Sequence, residues 1–237
     1  MAIKKRLFGY ALLITIFLFA TILLISNIFE DKRQEYINSE VQSMYNNFNE
    51  MQTFMLMSEA YGDEMACLAF KNKLRELDQS IWDLGRKIEQ YKVASEEFQK
   101  NPYYYNQKTK FNENEIFYML LMKKLKKQCD MDQVIISFFY KNSEDCKKCD
   151  DQSFVLTDIN KDIDEEISIF SYDVDLNLTS IDLLIEYHNI TEFPCTIVED
   201  GKYCGMYRKD FFMEKICEES PSIQGCESYL SNEDISK

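Results

Sequence analysis

The chain has little proline, glycine, histidine or tryptophan: three, six, one and one in 237 residues. So few backbone breakers argue against a long flexible linker and for continuous secondary structure. The one histidine, His188, follows Tyr187 in a helical stretch and reads as a surface or helix-end residue rather than a catalyst. There is no Ser/His/Asp set, phosphate loop or internal repeat. Positive charge is also scarce. Beyond Lys4, Lys5 and Arg6, which precede the first apolar segment, 24 basic residues face 41 acidic ones, a balance of −17. A surface that acidic repels phosphate backbones, which argues against nucleic acid as a partner. Hydrophobic residues reach 46%, enough to fill a core, so wholesale disorder is disfavoured.

Apolar residues and cysteine are plentiful. Leu7 to Phe29 runs 23 residues without a charge. A helix needs about 20 such residues to cross a bilayer core. The run is too long for a signal-peptide core and no Ala-x-Ala-like site follows it, so an uncleaved single-pass anchor is expected. The basic N-terminus favours that end inside, although Lys32 and Arg33 follow the span. The rest would then be extracytoplasmic, where the eight cysteines could form disulfides. The sequons Asn177-Leu178-Thr179 and Asn189-Ile190-Thr191 carry little weight by themselves.

Past the span, Ile37, Val41, Met44, Phe48, Met51 and Met55 alternate spacings of four and three. After Tyr61-Gly62-Asp63 the pattern resumes at Phe70, Leu74, Leu77, Ile81, Leu84, Ile88 and Tyr91. Heptad spacing gives each helix one apolar stripe. The two helices either fold on each other as a hairpin turning at Gly62, the preferred arrangement, or pair with a second copy of the chain as a homodimeric coiled coil. Met51, Met55 and Met57 read as packing rather than a metal box. Trp82 lies off the stripe and is expected to pack against a neighbour. Asn101-Pro102 ends the second helix. The next is expected from Asn112, an N-cap with Glu115 three positions on, to about Gln128, with Cys129 at its end.

From Asp132 the pattern changes. Val134 to Tyr140 is a nearly continuous apolar run, the mark of a buried strand. A polar turn leads to Cys146-Lys147-Lys148-Cys149, then a helix to about Asp162, a strand at 167–172, and a helix at 179–188 bearing Ile181, Leu184 and Ile185. Phe193-Pro194-Cys195 opens an extended run, Asp200-Gly201 signals a hairpin, and a last helix at 207–218 buries Phe211, Phe212 and Ile216. A cysteine opening a helix meets free N–H groups and the positive end of the dipole, which stabilise a thiolate. A second cysteine one turn on can close a disulfide or resolve a mixed one.

This order, with CxxC after a buried strand and proline and Asp-Gly some fifty residues later, resembles the thioredoxin fold over roughly 130–219. The resemblance implies a membrane-anchored thiol–disulfide oxidoreductase of α/β class, needing no cofactor or metal. Cys146 would be the nucleophile and Cys149 the resolving thiol. Phe193 and Pro194 would form the substrate side, Pro194 as the family's cis-proline. Partners would be protein thiols or disulfides and a redox partner that recycles the pair. The chain departs from the family at Asp145, where thioredoxins carry tryptophan, at Lys147-Lys148 in place of Gly-Pro, and in lacking an acidic residue on strand 134–140. Lys147 and Lys148 favour the thiolate while Glu144, Asp145, Asp150 and Asp151 oppose it, so oxidation, reduction and isomerisation all stay open. Two other readings remain. Cys146, Cys149, Cys195 and Cys204 could bind zinc or copper(I), since the fold would bring Cys195 beside the CxxC. Alternatively every cysteine is a staple and the helices an interaction platform. Two staples are expected, Cys217–Cys226 across a local turn and Cys67–Cys129 joining the hairpin to the next domain.

The expected organisation is a basic N-terminus (1–6), a transmembrane helix (7–29), a helical hairpin or coiled coil (30–110), a thioredoxin-like domain (111–219) and an acidic tail (220–237).

Overall fold

The structure, a computed structural model, describes residues 2–94, 102–129, 131–142, 144–163, 166–223 and 225–230. It is mixed α/β, mostly helical, with a long apolar N-terminal helix and a small four-stranded sheet. Helix α1 (Ala2–Tyr61) is unbroken. Its segment from Phe8 is long and apolar enough to cross a membrane, and the side chains from Phe8 to Phe29 project away from the rest of the protein. Burial starts at Ile37 and continues through Val41, Met44, Phe48 and Met51, the expected stripe. Gly62 ends the helix: its φ of +98° favours glycine, and its N–H donates to Ser58 C=O at 2.8 Å. Helix α2 (Asp63–Ala94) returns antiparallel, burying Phe70, Leu77, Ile81, Leu84 and Ile88. The hairpin is therefore intramolecular. Its expected end at Asn101, and the side chains of Leu74 and Tyr91, lie outside the described residues.

Helix α3 (Pro102–Cys129) starts ten residues before the expected N-cap. Pro102 occupies its first position, where a missing N–H costs nothing. Asn112 lies inside this helix and caps nothing, and α3 runs through the expected boundary at 110. The early turns show no apolar stripe because they bury polar groups, Gln107, Lys108, Asn112 and Glu115. Helix α3 packs on both arms of the hairpin and carries them onto the sheet. Phe48 of α1 meets Tyr118 of α3 at 6.0 Å between ring centroids, and Tyr118 meets Phe170 of the sheet at 5.6 Å. Gly85 of α2 allows Phe111 close: a Cβ there would stand 3.0 Å from the ring.

Strands β1 (Val134–Tyr140), β2 (Ile167–Asp173), β3 (Cys195–Val198) and β4 (Gly201–Cys204) form a sheet of order β2-β1-β3-β4. β1 and β2 are parallel, joined by helix α4 (Lys147–Asp162); β3 runs antiparallel to β1 and β4 antiparallel to β3, so β4 points the same way as β1. The period of two gives the sheet two faces. Val134, Ile136, Phe138, Ile167, Ile169 and Val198 pack with α4 and with helix α6 (Lys209–Glu219). Ile135, Phe139, Phe170, Tyr172, Cys195 and Ile197 pack with α3, the hairpin and helix α5 (Thr179–Tyr187).

The β3–β4 turn is Glu199-Asp200, one residue earlier than the Asp-Gly signal, with Gly201 opening β4. Glu199 takes the left-handed conformation, φ +51°. Its Oε1 accepts the Ile135 N–H at 2.8 Å and pairs with Lys126 at 2.6 Å, contacts that hold the turn to β1 and α3. At the other edge, β2 exposes no bare amides at Ser171 and Asp173. Glu115 accepts the Ser171 N–H at 3.2 Å and Asn112 accepts that of Asp173 at 2.9 Å. Side chains of α3 thus occupy an edge that would otherwise recruit another strand. Beyond α6, Ile223 and Cys226 are buried, so the first part of the expected acidic tail is packed, ending in helix α7 (Glu227–Leu230).

Candidate functional site

The parallel strands β1 and β2 end together, and β3 begins beside them. Phe139 pairs with Cys195, so Pro194 stands across from Tyr140, the last residue of β1. Cys146 caps the N-terminus of α4 from a loop that leaves this same point. Cys146 and Pro194 therefore belong to one end of the sheet. The Phe193–Pro194 peptide is cis, and the Pro194 C=O accepts the Gly205 N–H at 2.7 Å. Lys141 lies over the Phe193 ring at 5.3 Å.

The loop before Cys146 hangs on a series of hydrogen bonds that starts in α3. Asp173, whose N–H Asn112 holds, accepts the Asp175 N–H on Oδ1 at 3.0 Å. Asp175 Oδ2 accepts the Asn142 N–H at 2.7 Å, and the Asn142 C=O accepts the N–H groups of Asp145 and Cys146 at 3.0 and 2.9 Å. Cys146 and Cys149 are joined in a disulfide. Cys146 is 7% exposed and Cys149 1%, so the first sulfur is the more approachable. Glu144, Asp145, Lys147, Lys148, Asp150 and Asp151 are all exposed around the pair.

The other six cysteines are paired too. Cys67–Cys129 ties α2 to the end of α3, and Cys217–Cys226 ties α6 to the turn that follows it, the two staples expected. The third, Cys195–Cys204, was not foreseen, although the two lie equally far from the turn at 199–200, which sets them opposite each other in a two-residue hairpin. Nor does Cys195 lie beside the CxxC. It shares a face with Phe139 and Ile197, whereas α4 packs on the opposite face. The sheet separates the two disulfides, which removes the geometry on which a four-thiolate metal site depended. Among the described residues no cluster of three or more His, Cys, Asp or Glu side chains is arranged to hold a metal ion. His188 caps the C-terminus of α5 with its ring edge-on to Tyr187, and burial lowers its pKa.

A second polar group lies behind the CxxC, and hydrophobic periodicity gave no sign of it. Lys108 is almost fully buried and pairs with Asp173 at 2.5 Å and Glu89 at 2.9 Å, under the ring of Tyr140 at 5.3 Å. Burial opposes its charge, but Tyr140, Glu89 and Asp173 together hold its pKa well above the ordinary lysine value. Glu115, also buried, accepts from Asn112 Nδ2 at 3.1 Å, and desolvation pushes its carboxyl well above the usual range. Trp82, Glu89, Lys108, Glu115, Tyr140 and Cys149 all line one cavity of about 600 Å³.

No family model and no curated protein matches the chain. Among solved structures it is similar to one titled "Structure of a malarial protein", at 17% identity and a TM-score of 0.32, over 37% of this chain and 97% of that one.

Proposed function

We propose that this chain is a thioredoxin-like thiol–disulfide exchange protein held at a membrane by residues 7–29, acting on protein thiols or disulfides through Cys146 and Cys149. The observation that carries the reading is the Cys146–Cys149 disulfide at the N-terminus of α4, at the sheet end where Pro194 opens β3. The β-α-β-α-β-β-α order and the parallel pairing of β1 with β2 support the family resemblance. In the reducing direction the Cys146 thiolate attacks a substrate disulfide, forming a mixed disulfide and releasing one substrate thiolate. Cys149 then gives up its proton and attacks the Cys146 sulfur, which releases the second substrate thiolate and leaves Cys146–Cys149 oxidised. The oxidising direction reverses each step, and a dithiol or disulfide partner restores the starting state. Phe193 and Pro194 form the wall along which an extended substrate lies. The exposed lysines and carboxylates around Cys146 set the approach of charged substrates.

The test is capture. Cys149→Ser should accumulate mixed disulfides through Cys146, and Cys146→Ser should accumulate none. Replacing Cys195 and Cys204 together with serine should leave capture intact. After reduction, Cys146 should be alkylated well below the free-thiol pKa of about 8.5. A Cys149→Ser protein that captures nothing, with Cys146 titrating at or above that value, makes the pair a staple. The same reading puts residues 30–237 on the extracytoplasmic side, where protease added to intact cells or spheroplasts should degrade them. Full protection would reverse that orientation.

A further inference from the structure

The cavity behind the CxxC lies between α2, α3, the β2 edge and one side of α4. At about 600 Å³ it is within the range of small-molecule sites, which are mostly apolar with a few polar groups at fixed points. Its aromatic lining comes from Trp82, Phe111, Phe138, Tyr140 and Phe154. Phe154 is 73% exposed, an apolar ring left in solvent at the rim. Five charged side chains line it, Arg86, Lys108, Glu89, Glu115 and Asp150, and two further carboxylates pair with its cations from outside the lining, Asp173 with Lys108 at 2.5 Å and Asp83 with Arg86 at 2.6 Å. The charge of each cation is thus already matched. Glu115 also lines the space, and its carboxyl is met by the neutral donors Asn112 Nδ2 and Ser171 N–H. An anion would find no free positive charge here. A cation would find carboxylates and the faces of aromatic rings, a combination that attracts ammonium groups.

We propose that this cavity is a binding site for a monovalent organic cation with an apolar, ring-sized body, its charge directed at Glu115 and Glu89 and its body against Trp82, Phe111 and Phe154. The raised pKa of Glu115 fits that role, since an arriving positive charge would let the carboxyl ionise. The site stands apart from the thiol-exchange reading, because no step of it uses a sulfur.

Trp82 is the only tryptophan in the chain and lines the cavity, so its emission reports occupancy directly. The full chain in nanodiscs is titrated with phenyltrimethylammonium and with its uncharged isostere tert-butylbenzene. The proposal expects a saturable change in Trp82 emission with the cation and binding at least tenfold weaker for the isostere. Glu115→Gln should weaken the cation at least tenfold. Ser153→Phe adds a ring to the lining from α4, at a position that is exposed, and it should abolish the response even if Glu115→Gln fails to fold. Equal binding of the isostere, no saturable change, or an unchanged affinity in Ser153→Phe overturns the proposal.

Discussion

Replacing Lys108 with methionine should destabilise the protein by about 3 kcal/mol, the low end of what breaking a buried ion pair from one side costs. Lys108 and Asp173 each have side chains only 4% exposed, whereas Glu89 is 43% exposed. Removing the ammonium therefore strands Asp173, while Glu89 turns to water and loses little. Asp173 keeps the Asp175 N–H on Oδ1, which places the cost below the top of the range. For a chain of this size, about 3 kcal/mol lowers Tm by roughly 10 °C. Near-ultraviolet circular dichroism of the full chain in detergent follows the transition through the aromatic core. The double variant Lys108→Met with Asp173→Asn should recover most of the loss, because the uncompensated charge has gone with its partner. A Lys108→Met protein within about 0.5 kcal/mol of the parent would refute the reasoning, since that is the scatter of surface substitutions.

Two other outcomes are expected. Removing Cys67–Cys129 by a double serine substitution opens a 62-residue loop and should cost about 4 kcal/mol in the chain-entropy model, read as a lower denaturant midpoint; an unchanged midpoint contradicts it. Glu115 has its folded pKa raised, so the stability it contributes is complete below the ordinary value of 4.5 and is lost as pH rises through the folded value. Glu115→Gln removes that linkage, so as pH rises above 4.5 the parent should lose stability relative to the variant, and parallel curves would rule the shift out.

The hairpin was legible because its stripe repeats at heptad spacing and Gly62 interrupts it where a left-handed residue is required. The sheet was legible because its strands are short apolar runs set apart by turns. The first turns of α3 were not, because what they bury is Gln107, Lys108, Asn112 and Glu115, and periodicity of apolar residues cannot see buried charge. Within the candidate site, the order from strand to CxxC to proline could be read, and so could two disulfides. The face of Cys195 could not, because it depends on pairing with Phe139, and a shift of one residue in that register reverses every side chain. The symmetry of Cys195 and Cys204 about Glu199-Asp200 was present in the sequence but hidden by taking Asp200-Gly201 as the turn.

The unbroken course of α1 couples the apolar segment to the folded unit in rotational phase. From Phe29, the end of the charge-free run, to Ile37, the first buried residue, the helix rises about 12 Å without a break. With the apolar segment in a bilayer, the CxxC would face one compass bearing about the helix axis, at one height above the lipid. Each residue inserted between 29 and 37 would swing that bearing by about 100° and lift it by about 1.5 Å, and seven would restore it almost fully. Encounters with a partner in the same membrane would then rise and fall with helical period along such an insertion series, while encounters with a freely diffusing partner would not.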